Sequence, residues 1–159
     1  MSIIYNDKEK IFKLDTSGAS YVMGIEGELG HLVHIYYGKK IKGNSSPAHV
    51  PGINFVNKLW FMDGNPMEYP AGGCGDFRQH CIEIETKEGY TALEPVYVSH
   101  SISKGKPKLY GLPATFADDG ECSTLEIVLS DKPTGIEITL LYSVFEELDV
   151  ITRSVKVKN

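Results

Sequence analysis

The chain has 159 residues and a formal net charge of −5, and no dense Lys/Arg block runs through it, which argues against a nucleic-acid partner. Hydrophobic residues make up 42% and charged residues 23%, a balance that builds a packed core and excludes global disorder. Three cysteines cannot all pair within one chain, so no disulfide framework is expected.

The opening MSIIYNDKEK turns polar after two isoleucines. That apolar run is too short for a signal peptide or a bilayer span, and the expectation is a cytoplasmic protein with no membrane partner. Alternating apolar and polar residues then dominate, with no sustained 3.6-residue stripe, so the chain reads as all-β. In chain order the strands expected are IFKL (11–14), SYVMGI (20–25), HLVHIYY (31–37), HCIEIET (80–86), PVYVSHSI (95–102), TLEIVLS (124–130), GIEITLLYSVF (135–145) and DVITRSVKV (149–157). DKPT followed by Gly135 predicts a hairpin, because proline fixes φ and glycine tolerates positive φ. Glu146, Glu147 and Leu148 predict a second, with Glu146, Glu147 and Asp149 in water at its tip.

Two stretches resist the strand pattern. Residues 42–69 hold Pro47, Pro51 and Pro66 among several Gly and Asn, with Phe55, Trp60, Phe61 and Met62 embedded. A connection this long inside one domain points to function. TFADDGEC at 115–122 reads as a short acidic connection, and KGKPK at 104–108 as a solvated loop. The strand count and turn spacing favour two stacked antiparallel sheets, a β-sandwich, in one domain over 1–159.

The densest concentration of reactive types is EYPAGGCGDFRQHC, residues 68–81. Cys74 and Cys81 lack the close spacing of a structural zinc hook, and His80 and Cys81, adjacent on an expected strand, would face opposite ways. A metal is therefore not expected. A reactive thiol needs a positive setting or a helix N-terminus, and no helix is expected nearby. His31 and His34 read as polar or rim residues. Glycosidic chemistry needs two carboxylates about 5 to 9.5 Å apart, and spacing selects no pair among Asp76, Asp118, Asp119, Glu121 and Asp149. No phosphate loop, dinucleotide fingerprint or nucleophile elbow occurs. Trp60 fits equally a ring that stacks on a sugar or an interface and a plug over the sandwich.

Taken in order, SYVM (20–23), GHLVHIYYGKKI (30–41), EYPAGGCGDFR (68–78), KGKPKLYGLPATF (104–116) and TLEIVLSD with GIEITLLYSVFEELDVITRSVKVKN resemble the start of a bacterial glycoside hydrolase family 36 α-galactosidase. The likeness covers nearly the whole chain, and GKPKLYGLPATF and DVITRS are its most specific pieces. It implies the first part of a β-supersandwich, similar to the galactose mutarotase fold, set before a (β/α)8 barrel. The family's nucleophile and acid/base are aspartates in barrel motifs resembling KWDMN and CSGGGGRFD, neither of which occurs here. No catalytic residue is thus carried over, no cofactor is implied, and the chain alone is expected to be inactive and to be a truncated portion.

The resemblance further implies partners: the barrel of the same polypeptide, a homo-oligomer that is a tetramer in the full enzyme, and a terminal α-galactoside such as melibiose or raffinose. It gives Asn54 and Trp60, in the 51–65 loop, a substrate-binding role toward a neighbouring subunit's site. It marks Tyr69, Pro70, Asp76, Phe77 and Arg78 as a structural turn motif; Asp76 and Arg78 are expected to fix the loop through side-chain-to-backbone or ion-pair contacts, with a sugar-site contact as the alternative. Gly72 stands where the family carries an aromatic, and His80-Cys81 where it carries Pro-Ala, so the Cys and His types fall on substituted positions. Two alternatives stand beside this reading: a stand-alone carbohydrate-binding module that uses Trp60, and a mutarotase-like enzyme that needs a His acid and a carboxylate base in one cleft.

Overall fold

The computed structural model describes residues 2–26, 29–43, 66–73, 76–111, 113–118 and 120–159. Among these, eight strands form two antiparallel sheets in simple meander order. The first holds β1 (Ile3–Asn6), β2 (Ile11–Asp15), β3 (Ala19–Ile25) and β4 (Leu32–Lys39). The second holds β5 (Val96–Lys104), β6 (Ser123–Ser130), β7 (Glu137–Phe145) and β8 (Val150–Lys158). Every pair within a sheet is a sequential hairpin, so residues 40–95 make the one crossing between sheets.

Period-two alternation decides what meets in the middle. Phe12 and Leu14 on β2 and Met23 on β3 are fully buried and share one cluster with Leu125, Ile127 and Leu129 of β6 and Ile138, Leu140, Tyr142 and Val144 of β7. Burial of each such aliphatic side chain contributes about 1.5–3 kcal/mol. Leu93, Tyr69 and Ala71, from the crossing segment, join the same cluster. On the opposite face of the second sheet, Thr124 donates to the Gly105 carbonyl at 2.7 Å and its hydroxyl lies 2.8 Å from that of Ser143.

Seven of the expected strands are present, with bounds shifted by a residue or two, and both expected hairpins form. The 131–136 turn is held by the Asp131 carboxylate, which accepts from the Thr134 amide at 2.9 Å, and Gly135 takes φ of +74°. β1 was not anticipated: its four residues are too few to show alternation. It is pinned by an Asn6 turn, whose side-chain oxygen accepts from the Lys8 amide at 3.1 Å, and by Tyr5 stacked on Phe12 at 4.6 Å.

HCIEIET, expected as a strand, forms none. Beyond an isolated parallel bridge between Ala71 and Ile82, no ladder joins it. Ile82 and Ile84 pack against the core, but alternation reports which side chains are buried and carries no information about a backbone partner, and none is found among the described residues. The acidic 146–149 turn is exposed, as expected, yet not idle. The Asp149 carboxylate accepts from Thr16 Oγ1 and, at 3.0 Å, from the Gly18 amide, and the Ser17 amide donates to the Glu146 carbonyl at 2.9 Å. One end of each sheet is thereby tied to the other.

Candidate functional site

Asn54 and Trp60 lie outside the described residues. The chain that enters and leaves their segment is described, and it is fastened at both ends. On the entry side, Lys13 of β2 points out of the core and is nevertheless buried. Its ammonium donates to Asp15 at 2.9 Å and to the carbonyls of Ile41 and Gly43, each at 2.8 Å, so its three protons each find an acceptor. The Ile41 amide donates to Ser20 Oγ at 2.9 Å.

On the exit side, the His34 amide donates to the Pro66 carbonyl at 2.6 Å and the Glu68 amide to the Leu32 carbonyl at 3.0 Å, which lays residues 66–68 along β4. The Glu68 side chain then turns inward to only 1% exposure. Donors from four strands meet it. The Tyr21 hydroxyl of β3 lies 2.7 and 2.8 Å from its two oxygens, and the Tyr142 hydroxyl of β7 donates to Oε1 at 2.7 Å. Arg153 Nη2 of β8 is 3.0 Å from Oε1, and His34 Nδ1 of β4 is 3.4 Å from Oε2. The Arg153 guanidinium also lies over the Tyr142 ring, 5.2 Å from its centroid.

A carboxylate buried this deeply is tolerated because its lone pairs are met by hydroxyls and one cation. Arg153 remains 46% exposed, so the pair forfeits only part of the cation's hydration. Burial, reinforced by the Glu68 charge, pushes the Tyr142 and Tyr21 hydroxyls far above their ordinary range, which keeps both protonated as donors. Glu68 thus joins both sheets to the end of the 44–65 segment.

Immediately downstream, the turn motif is locally closed. Asp76 is buried and Arg78 grips it with two parallel bonds, Nε to Oδ1 at 2.9 Å and Nη2 to Oδ2 at 3.0 Å, with the Arg78 amide 3.2 Å from Oδ1. Burial pushes the Asp76 carboxyl up, but the Arg78 bonds and charge outweigh it and hold the group below the usual carboxylate value. Tyr69 is in the core with its hydroxyl 3.4 Å from the Cys81 carbonyl, and the Pro70 carbonyl accepts from the Cys81 amide at 2.8 Å. Phe77 points outward at 76% exposure. Gly73 adopts φ of +105°, and a Cβ there would sit 2.5 Å from the Ala92 Cβ and 2.7 Å from its Cα, so only glycine allows this crossing.

The structure therefore brings Asp76 and Arg78 together, places Tyr69 and Pro70 beside Cys81, and leaves Phe77 facing solvent. Cys81 is exposed and sits outside any strand, so the expectation that strand pleating separates it from His80 does not apply. His31, expected as a rim residue, is buried at 1% and its Nε2 lies 3.0 Å from Glu94. Sequence reasoning missed Glu68 and Arg153 as a pair. Both fall inside the motif strings EYPAGGCGDFR and DVITRS, but 85 residues separate them and only the closed sandwich makes them neighbours.

These features define an all-β sandwich whose crossing segment is clasped at its base. The chain belongs to the glycosyl hydrolase family 36 N-terminal domain, whose family model matches residues 30–159. It is 42% identical over its full length to the bifunctional alpha-galactosidase/sucrose kinase AgaSK of Mediterraneibacter gnavus, covering 18% of that protein. It is 38% identical, again over its full length, to alpha-galactosidase AgaA of Geobacillus stearothermophilus, covering 23%. Among solved structures, the family 36 alpha-galactosidase AgaB from Geobacillus stearothermophilus superposes with a TM-score of 0.87 at 39% identity, over 100% of this chain and 22% of that one. The chain spans about a fifth of the length of these relatives.

Proposed function

We propose that these residues serve as the non-catalytic N-terminal part of a cytoplasmic, retaining α-galactosidase, where they pack against the catalytic barrel, take part in a homo-oligomer and shape the sugar site. The observation that carries this reading is the 42% identity along the entire chain to AgaSK, whose name states an alpha-galactosidase. Retention requires two carboxylates about 5–5.5 Å apart, and the reading assigns both to polypeptide outside these residues.

Within it, Asn54 and Trp60 contact the galactoside, with a neighbouring subunit's site as the place of contact. The described chain on either side of that segment is fastened, at Gly43 and at Glu68, which sets where the segment leaves and rejoins the sandwich. Tyr69, Pro70, Asp76, Phe77 and Arg78 act as the turn that holds the base in place.

The test has two arms. The purified 159-residue chain is assayed with an aryl α-galactoside and is expected to give no turnover. It is then spliced in place of the matching N-terminal residues of AgaA from Geobacillus stearothermophilus, and the chimera is expected to hydrolyse the substrate. Trp60→Ala in the chimera should raise KM by about tenfold with kcat little changed, as for a lost binding contact. Turnover by the chain alone that survives contaminant controls defeats the assignment of chemistry, and unchanged chimera kinetics in Trp60→Ala and Asn54→Ala removes the sugar-site role.

A further inference from the structure

Three aromatic rings, drawn from both sheets, surround His100. The ring of Tyr5, on β1, lies 4.2 Å from the imidazole centroid, Phe12 of β2 meets it edge-on at 4.9 Å, and Tyr97, on the same strand as His100, is at 6.2 Å. Tyr5 is also stacked on Phe12, and Phe12 lies 6.4 Å from Tyr97. His100 pairs in register with Ile127 of β6, so its side chain shares the inward face with that fully buried core residue. The cluster thus joins the β1–β2 hairpin to β5.

An imidazole packed among rings is neutral by preference, because burial removes the water that a charge would need. His100 Nδ1 lies 2.7 Å from the Tyr97 hydroxyl. With that hydroxyl as donor, Nδ1 is the acceptor, and a proton arriving there displaces it. The titratable groups around the ring are Tyr5 of β1, Tyr97 of β5, and Asp7 and Lys10 of the turn between β1 and β2, which pair with each other at 2.8 Å in solvent. Burial pushes the Tyr97 hydroxyl up, so it stays protonated across the neutral range. Burial also pushes His100 down from its ordinary 6.5, and the Asp7 charge pulls it back only in part. The neutral ring's contribution to the junction is therefore complete above 6.5 and is lost as pH falls from there through the lower value of the closed cluster.

We propose that the cluster of Tyr5, Phe12, Tyr97 and His100 is an acid-released latch: it holds the β1–β2 hairpin against β5 while the imidazole is neutral and loosens that contact when the imidazole takes up a proton. The part that moves is β1. It has four residues and pairs only with β2, so it can open locally while the β6–β7 centre stays closed. The other polar ties between the sheets leave it free to do so: Asp149 grips the 16–18 turn, and Glu68 grips β3 and β4. The inference is independent of any role at a sugar site.

NMR on the 159-residue chain from about pH 8 to about pH 5 tests it. The His100 ring protons are expected to titrate with a midpoint below 6.5. Hydrogen-exchange protection, corrected for the intrinsic pH dependence of exchange, is expected to fall about threefold or more over that range at the β1 and β5 amides, while the β6–β7 amides keep theirs. His100→Phe keeps a ring that cannot titrate and should abolish the fall. Asp7→Asn, at an exposed position, removes the charge that favours the imidazolium; it should lower the His100 midpoint and deepen the fall. A wild-type midpoint at or above 6.5, protection at β1 that does not change with pH, a fall that persists in His100→Phe, or a midpoint that Asp7→Asn leaves in place overturns the proposal.

Discussion

Two acidic side chains only eight positions apart are both buried and both paired with an arginine, yet they hold very different amounts of structure. Asp76 takes its cation from two residues away and its hydrogen bonds stay within one turn. Glu68 takes its cation from 85 residues away and gathers hydroxyls from both sheets. The local pair shapes a loop that the flanking chain already constrains. The central one closes long loops, so its free energy is coupled to sheet packing as a whole. Sequence separation, rather than bond length, sets what each pair can stabilise.

The largest expected effect comes from emptying the centre. Glu68→Ala leaves two buried hydroxyls and part of a guanidinium without an acceptor and should cost about 3–4 kcal/mol, read as a lowered urea midpoint. A loss near that of Asp76→Asn would erase the contrast between the two acids. Gly73→Ala comes next, at about 2–3 kcal/mol, since it combines positive φ with a backbone clash that no rotamer relieves.

Tyr142→Phe removes one donor while keeping the ring under Arg153, and should cost about 1–1.5 kcal/mol at neutral pH. It also carries a pH signature. The Tyr142 and Tyr21 hydroxyls are raised above their ordinary value of 10.0, so their contribution is complete below that pH and is lost as pH rises beyond it. The wild-type chain should lose stability steeply above about pH 10, and Tyr142→Phe should flatten that slope. Equal alkaline slopes would separate Tyr142 from the network.

Asp76→Asn should be the mildest, about 0.5–1 kcal/mol, because Arg78 remains partly in water and the interaction is screened. The Asp76 carboxyl is held below its ordinary 3.8, so its contribution is present above that value and disappears as pH falls through the lower folded value. An acid-unfolding curve that the substitution leaves unshifted would show that the pair merely decorates the turn.

Much of this architecture was legible beforehand, because a half-buried strand must alternate and a hairpin must carry turn formers. IFKLD, TLEIVLS and EITLLYSVF announce themselves that way, and DKPTG announces the bend between the last two. HCIEIET shows the limit of the same rule: it was expected as a strand and its isoleucines do pack on the core, but the missing ladder left no trace in the pattern. β1 was invisible because four residues hold barely two alternations. The turn motif could be read from the family resemblance, but Glu68, one position ahead of Tyr69, looked like any solvated acid. Only its contact with Tyr21, Tyr142 and Arg153 reveals otherwise, and contacts across 74 and 85 residues are not written in local spacing. Lys13 is the same lesson on the first sheet, a charged residue on a strand's outer face whose acceptors arrive from positions 41 and 43.

The tie between Asp149 and the 16–18 turn has a geometric consequence. Two stacked plates pinned at a single point can still swivel about it, and Glu68 is one such point near the middle. Asp149, with the Ser17 to Glu146 bond, is a second pin toward the rim. Two separated pins resist the swivel, so polar atoms add a directional restraint to the angle that sheet twist and the interdigitating core already favour.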